Sequence, residues 1–390
     1  MKNHPMPAAR HVPLFALIGV LLAWTSATAS AALIPSPPQV EASGYILMDA
    51  ASGRILVEHN AHEPLPPASL TKIMTDYIVA RELHNNNLSL DEEVTISVKA
   101  WRMGGSKMFV REGTRVRVED LLRGLIIQSG NDATVALAEH IAGGEDAFAE
   151  MMNQQASRLG LKNSYFVNAT GWPDERQVTS AYDMAVLTHA LIRDFPDNYL
   201  MYREKSFTYN NITQQNRNLL LWRDPSVDGV KTGHTDAAGY CLVASAERDG
   251  MRLISVVMGT SSEQARARES QKLLNYGFRF FENYRAYEAG ETLTDARVWM
   301  GRQAQVALGL DNALVMTIPR GSHDQLSAEM TLNKDITAPI SQGQQLGTVT
   351  ISLDGEAVLQ QPLVALTAVE QAGFFKRLWH SLVRFFSNLF

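Results

Sequence analysis

Ser69 and Lys72 stand three residues apart at the start of a segment whose apolar positions Leu70, Ile73, Met74, Tyr77 and Ile78 recur at helical spacing. Side chains three apart share one face of a helix, and the apolar stripe predicts a central helix from Ser69 to about Leu83 that holds both polar groups rigidly. Asn85, Asn86 and Asn87 end it. The pair is chemically complementary. A serine hydroxyl is a weak nucleophile until a base takes its proton, and a lysine becomes that base when burial beside a second cation lowers its pKa from ~10.4. The spacing alone proves little, because serine caps ordinary surface helices.

Two more motifs follow in order. Ser129-Gly130-Asn131 joins a helical segment from Val118 to Ile127 to another from Asp132 to Ile141, so the turn would present Ser129 and Asn131 inward. In isolation these are common turn residues. Lys231-Thr232-Gly233 lies in the first of three strand-like runs, Val227 to His234, Gly239 to Ala246 and Leu253 to Met258. The short turns between them predict an antiparallel meander.

The rest of the chain frames these motifs. Gly44 to Asp49 and Ile55 to Glu58 predict a hairpin around Ala51-Ser52-Gly53. Trp101 to Gly113 is loop-like and could overhang the site, and Gly171 to Asp174 is a second loop. Glu145 to Leu159, Ser180 to Arg193 and Glu263 to about Phe281 have helical periodicity, the last covering the meander; Ser206 to Tyr209 is strand-like. Composition shifts near Tyr287. Beyond it, Val298 to Met300, Val306 to Leu308, Leu314 to Ile318, Ala328 to Leu332, Gly347 to Ile351 and Ala357 to Leu359 predict a small all-β domain without a catalytic constellation.

The two ends carry their own signals. Lys2 and Arg10 precede an apolar run from Val12 to Trp24 and the small residues Ala29-Ser30-Ala31, the layout of a secretory signal peptide over residues 1–31. Cleavage is expected after Ala31, with Ala29 the second choice. At the other end, Phe374, Phe375, Leu378, Trp379, Leu382, Val383, Phe386, Leu389 and Phe390 repeat at helical spacing, with only basic or neutral residues between them. A packed helix could carry that stripe, but an aromatic, acid-free terminal one fits a membrane interface over residues 373–390. The chain carries −6 overall, and setting aside Lys2, Arg10, Lys376, Arg377 and Arg384 leaves −11 on residues 32–370. An acidic body with a basic tail argues for anionic lipid and against nucleic acid.

Cys241, the single cysteine, cannot form an internal disulfide and sits in the apolar run Tyr240 to Ala244, so it is read as a core residue. His59 and His62 have no neighbouring carboxylate that would suggest a metal helix. No cofactor is implied.

The ordered runs Pro67-Ala68-Ser69-Leu70-Thr71-Lys72, Gln128-Ser129-Gly130-Asn131-Asp132-Ala133 and Asp228-Gly229-Val230-Lys231-Thr232-Gly233-His234-Thr235, with the β-rich appendage and the tail, resemble the low-molecular-mass penicillin-binding proteins of the 5 and 6 group. These are D-alanyl-D-alanine carboxypeptidases. The resemblance implies an α/β (α+β) penicillin-binding domain over residues 32–283 with an antiparallel sheet flanked by helices, a β-rich domain over 284–369 and an amphipathic helix over 370–390. It implies a periplasmic enzyme, held on the outer face of the inner membrane, that removes the terminal D-alanine from peptidoglycan pentapeptides and is inhibited by β-lactams.

By the same resemblance, Ser69 is the acylated nucleophile, Lys72 its base and Ser129 the proton relay to the leaving group. Asn131 positions the substrate amide, Lys231 and Thr232 bind the terminal carboxylate and lower the Lys72 pKa, and Arg217 is a further carboxylate contact. Gly233 completes the strand motif, and the backbone N–H groups of Ser69 and His234 form the oxyanion hole. The Trp101–Lys107 loop is shorter than in the best-known members. A class A β-lactamase would share the three motifs but needs a deacylating glutamate, for which Glu175 is the only candidate between Asn168 and Thr179. An idle binder of peptidoglycan or β-lactam is the other alternative.

Overall fold

The computed structural model describes residues 34–387, so the expected signal peptide and its cleavage site lie outside the described residues, as do Asn388, Leu389 and Phe390. Strands β1 (Gly44–Asp49) and β2 (Ile55–His59) form the expected hairpin. A 3-10 turn, Ala68–Thr71, then leads into α1 (Lys72–His84), which Asn85 caps. Every residue of α1 from Lys72 to Ala80 is buried, including the polar Thr75 and Asp76. The helix is therefore central, as the apolar stripe required.

The short strands β3 (Glu93–Thr95) and β4 (Arg115–Arg117) pair around α2 (Val98–Arg102). Trp101 and Arg102 thus belong to a helix rather than to the loop expected there. Ser97 caps it by accepting from Ala100 N at 3.0 Å, a signal too short to register as periodicity. Helices α3 (Val118–Ile127), α4 (Asn131–Ala142), α5 (Glu145–Leu159) and α6 (Ala181–Asp194) pack around α1. Short helices α7 (Pro196–Tyr199) and α8 (Leu220–Arg223) flank the hairpin of β5 (Ser206–Tyr209) and β6 (Ile212–Gln215).

Strands β7 (Val227–Thr235), β8 (Gly239–Arg248) and β9 (Met251–Thr260) form the meander and join the first hairpin in a five-stranded sheet of order β2-β1-β9-β8-β7. The long helix α9 (Glu263–Phe280) covers one face through Leu273, Leu274 and Tyr276; the helical layer containing α1 covers the other. Cys241 is buried in β8, as expected, and burial pushes its thiol up to about 11. The sheet order leaves β7 as an edge, and that edge faces the Ser69 turn.

A second set of strands begins directly after α9, earlier than the shift at Tyr287 suggested. Strand β10 (Phe281–Tyr287) pairs with a partner some thirty residues on, a long-range pairing invisible to local pattern. Then come β11 (Thr294–Arg297), β12 (Gln305–Gly309), β13 (Leu314–Pro319), β14 (Leu326–Leu332), β15 (Gln345–Leu353) and β16 (Glu356–Ala365). The strand expected at Val298 to Met300 is displaced to Thr294–Arg297, because Met300 takes φ 58° and turns the chain there. Strands β10 and β13 make a two-stranded ribbon, and the others a sheet of order β11-β12-β16-β15-β14. The two bodies meet where Arg54 Nη1 donates to Thr317 O at 2.6 Å and Arg320 Nη2 donates to Phe278 O at 2.9 Å.

The last element is α10 (Phe374–Ser387). Its Phe374, Phe375, Leu378, Trp379 and Leu382 are exposed, Phe375 by 85%. Its His380 Nδ1 accepts from Met300 N at 2.8 Å, and Lys376 Nζ donates to Arg302 O at 2.9 Å, which seats the polar side on the second sheet's domain. Among the described residues no helix is long and apolar enough to cross a membrane.

One buried polar network ties α1 to the sheet. Asp76 accepts from Asn198 Nδ2 at 3.0 Å and Tyr202 Oη at 2.8 Å, while neighbouring Tyr199 donates to Asp228 at the root of β7. Burial raises the Asp76 carboxyl to about 6, against the lowering effect of its two donors. Because the folded value lies above the unfolded one, stability from this group is present below about pH 4 and lost as pH rises through about 6, a difference of about 3 kcal/mol. Asp76→Asn should remove that component, and urea unfolding of both proteins at several pH values tests it. Parallel stability curves for the two would contradict the assignment.

Candidate active site

Ser69 sits in a 3-10 turn held in an uncommon conformation. Ala68, just before it, has φ 46°, in the left-handed region that disfavours a residue with a Cβ. Surrounding structure fixes the turn from several sides. Thr71 Oγ1 donates to Ala68 O at 2.8 Å. Gly171, at φ 82°, lays its backbone so close that a methyl there would overlap the Ala68 carbonyl. A Cβ at Gly233 of β7 would lie 3.1 Å from Pro67 O and 3.3 Å from the Ala68 methyl. Glycine at both positions permits the approach of loop and strand to the serine. As a first-turn residue, Ser69 has a backbone N–H with no intrahelical partner.

Lys72 opens α1 one turn later, fully buried. Its Nζ lies 3.1 Å from Ser69 Oγ, 2.7 Å from Asn131 Oδ1 and 2.6 Å from Thr170 O. None of these is a carboxylate, so nothing close offsets the cost of burying its charge. Burial lowers its pKa to about 7, with Arg217 the next contributor; Asp132 and Glu145 pull weakly the other way. An amine with that pKa is half deprotonated near neutrality and faces the serine hydroxyl directly.

Ser129 and Asn131 are brought inward, as the turn predicted. Ser129 takes φ 63°, and its Oγ is buried without a hydrogen-bond partner. A buried hydroxyl with no partner is costly and is available to an incoming group. Asn131 is oriented by two contacts, accepting from Lys72 and donating through Nδ2 to Gly104 O at 2.8 Å. The adjacent Asp132 is fully buried and accepts from the backbone N–H groups of Met108, Phe109 and Val110 at 2.8, 2.8 and 3.2 Å. The expected overhanging loop is therefore a strap whose backbone is pinned beside Asn131.

The third motif lines the β7 edge. Lys231 and Thr232 are buried; His234 is exposed, with its ring stacked on Tyr240 at 4.0 Å. Burial, then the charges of Lys72, Arg217 and Arg266, hold the Lys231 ammonium well below its usual pKa. Lys231 was expected to lower Lys72; Arg217 is the cation that follows burial among the causes of the Lys72 shift, and the charges of Lys72 and Lys231 oppose one another. Arg217 is itself exposed at the rim.

Sequence reasoning missed Arg266. It lies on α9 and is 3% exposed, and its Nη1 donates to Gly233 O at 3.3 Å. Nη2 is buried without a hydrogen bond, with Glu263 3.6 Å away. The available signal was that Arg266 falls on the same side of α9 as Leu273, Tyr276 and Gly277, but arginine there reads as a polar-face residue. Glu175, the glutamate a β-lactamase reading would need, is exposed and makes no hydrogen bond to Ser69, Lys72 or Ser129.

A cavity of about 620 Å³ lies at the junction of the two domains around Arg54 and Thr317 and contains none of these residues. Two smaller ones, about 380 and 390 Å³, flank Trp172 beside the serine turn. Chemistry, not volume, locates the site.

Fold and cluster together define a serine-type peptidase of the penicillin-binding class. The family described as D-alanyl-D-alanine carboxypeptidase matches residues 31–262, and that described as penicillin-binding protein 5, C-terminal domain, matches residues 281–371. The chain belongs to the D-alanyl-D-alanine carboxypeptidase family. It is 46% identical over 361 residues to the D-alanyl-D-alanine carboxypeptidase DacC of Escherichia coli strain K12, covering 90% of each chain. Penicillin-binding protein 5 from Haemophilus influenzae superposes with a TM-score of 0.84 at 45% identity, over 86% of this chain and 100% of that one. Penicillin-binding protein D2 from Listeria monocytogenes in its ampicillin-bound form matches 63% of this chain and 100% of its own at 30% identity, with a TM-score of 0.58.

The packing of Gly171 on Ala68 gives a stability test. Gly171→Ala should cost about 2 kcal/mol or more, lowering Tm by about 4 °C or more. Gly143→Ala, at φ 75° with nothing within 4 Å of the added methyl, should cost only about 1 kcal/mol. Equal Tm shifts for the two would mean that backbone conformation, and not the contact with Ala68, sets the requirement.

Proposed function

We propose that this protein is a serine-type D-alanyl-D-alanine carboxypeptidase that removes the terminal D-alanine of a peptidoglycan pentapeptide through an acyl-enzyme on Ser69. The observation that carries the reading is the 3.1 Å contact between Ser69 Oγ and a lysine amine with a pKa of about 7 and no carboxylate partner. Lys72 takes the serine proton as the oxygen attacks the penultimate carbonyl. The oxyanion develops between the backbone N–H groups of Ser69 and His234, donors worth roughly 3 kcal/mol each to the transition state. Ser129, whose hydroxyl is otherwise unpartnered, passes a proton to the departing D-alanine amine. Water then releases the ester.

The substrate's C-terminal carboxylate enters the cationic corner of Lys231, Arg217 and Arg266, whose Nη2 makes no hydrogen bond, with Thr232 as hydroxyl donor. Bringing a carboxylate there restores charge balance to buried cations, so binding and catalysis draw on one electrostatic arrangement. Asn131 presents its amide to the substrate backbone, and Gly233 lets the strand reach it. A β-lactam places its own carboxylate and strained carbonyl in the same positions and leaves an acyl group that shields the ester from water.

The proposed layout is a signal peptide over residues 1–31, the peptidase domain over 32–283, the β-rich domain over 284–369 and the membrane-seeking helix over 370–390. Export and attachment to the periplasmic face of the inner membrane rest on the N-terminal pattern and on the exposed aromatic face of α10.

Four outcomes are expected. Labelled penicillin should attach to Ser69 by mass spectrometry, and Ser69→Ala should not label. The acylation rate, followed by stopped flow, should rise with pH through about 7, because Lys72 acts in its neutral form and its folded pKa is depressed to that value. Lys72→Arg should abolish acylation across the whole profile, since a guanidinium cannot act as the base; near wild-type rates would move the base elsewhere. Deleting residues 373–390 should release the protein from anionic vesicles while D-alanine release from a soluble peptide persists.

A further inference from the structure

We propose that His380 is a pH-sensitive latch: in its neutral form it clamps the polar side of α10 onto the second domain, and its protonation releases the helix to swing on Gly373. What the release does rests on the membrane attachment proposed above; the latch itself does not.

The socket for the helix is a turn, residues 299–302, with two backbone groups left over. Trp299 N donates to Ile336 O at 2.8 Å and Trp299 O accepts from Ala338 N at 2.9 Å. Met300 O accepts from Ala372 N, and Arg302 N donates to Glu370 O, both at 2.8 Å. These contacts fix the turn within its own domain. The Met300 N–H and the Arg302 carbonyl are taken by α10: His380 Nδ1 accepts from the first at 2.8 Å, and Lys376 Nζ donates to the second at 2.9 Å. The two side chains stand four residues apart, on one face of the helix. The His380 ring also meets Trp299 edge-on, with centroids 5.8 Å apart.

One of the two contacts is conditional. A backbone N–H can only donate, so Nδ1 must carry a lone pair and the ring proton must sit on Nε2. Once protonated, the ring has N–H groups on both nitrogens and faces Met300 donor to donor. Histidine is the side chain that makes this change in the mildly acidic range. The charged groups around the contact are Lys376 and Arg377 on α10 and Arg297, Arg302 and Glu370 on the domain. Arg297 stacks on Trp299 at 4.0 Å, and Glu370 is paired with Arg302. Arg384 follows one turn along α10, and Lys334 and Asp335 precede Ile336. A new positive charge therefore enters a site where cations outnumber acids.

The helix has room to leave. Gly373 joins it to the domain, and a Cβ there would meet nothing within 4 Å, so the joint is uncrowded. The exposed Phe374, Phe375, Leu378, Trp379 and Leu382 take no part in the latch. A helix lying in the lipid interface by that aromatic face holds the domain against the bilayer while latched, and only tethers it once released.

Hydrogen exchange at the Met300 amide, expressed as protection relative to the intrinsic rate at each pH, reads the latch in solution. Wild type should lose about tenfold in protection from about pH 8 to about pH 5, the scale of one hydrogen bond. His380→Asn, whose Oδ1 takes the place of Nδ1 and accepts at every pH, should hold its protection across the range, and His380→Phe should stay unprotected throughout. Wild-type protection that does not change with pH, or a fall that persists in His380→Asn, would overturn the latch. On anionic vesicles, energy transfer to the lipid is read from a dye on Lys162→Cys, an exposed position of the peptidase domain, Cys241 being buried. It should fall over the same pH range in wild type and not in the His380→Asn background. Constant energy transfer while the amide loses protection would overturn the swing. No vesicle binding at either pH would overturn the membrane reading instead, and the exchange result would still decide the latch.

Discussion

The structure is organised around one unfavourable placement: the Lys72 amine is buried without a carboxylate beside it. Left in water the group would be fully charged at neutral pH; here three neutral oxygens surround it and burial brings its pKa to about 7. Each oxygen comes from a different part of the chain, namely the serine turn, the start of α4 and the loop before Gly171. Holding them together requires that α1 be central and that the elements around it converge on its first turn. A carboxylate in any of those three places would stabilise the ammonium and remove the base.

That requirement explains the close backbone packing around Ser69. The nucleophile turn departs from a relaxed helix start at Ala68, and nothing in its own sequence holds it there. Gly171 on one side and Gly233 on the other supply the restraint, with an approach that a Cβ would prevent at Gly171 and crowd at Gly233. The strap between α2 and α3 has the corresponding part for the second motif. Asp132 binds three of the strap's successive backbone N–H groups, and Gly104 in turn fixes the Asn131 amide that faces Lys72. The strap thus orients the amine through a single intermediate.

Much of this was legible in the sequence, for physical reasons that also mark where legibility ended. Leu70, Ile73, Met74, Tyr77 and Ile78 disclosed a central helix because burial leaves a period, and the short turns after Thr235 and Arg248 disclosed antiparallel strands because little else can be joined so tightly. The three motifs supplied residues already close in sequence. What depends on contacts between distant segments left no local trace. The pairing of β10 with β13 is one case, and the arrival of Arg266 from α9 at the carbonyl of Gly233 is another. The effect of Arg217 on Lys72 was missed for the same reason. Lys231 is a motif residue and Arg217 is not, yet both bring charge to the site of the Lys72 amine, a property of the assembled site.

The distribution of charge links the site to the tail. The body carries −11 over residues 32–370, so it repels polyanions except where cations are concentrated. Two places gather cations. In the site, Lys231, Arg217 and Arg266 are gathered where partial burial limits screening by salt, which suits recognition of a single carboxylate at close range. On α10, Lys376 and Arg377 sit side by side on the helix side seated on the second domain, Lys376 donating to Arg302 O and Arg377 Nε buried, beside an exposed aromatic face. The two basic regions thus differ in burial and in the range over which their charge is felt. Neither needs the net charge of the chain to be positive, and an acidic body limits unproductive contact with either kind of anion.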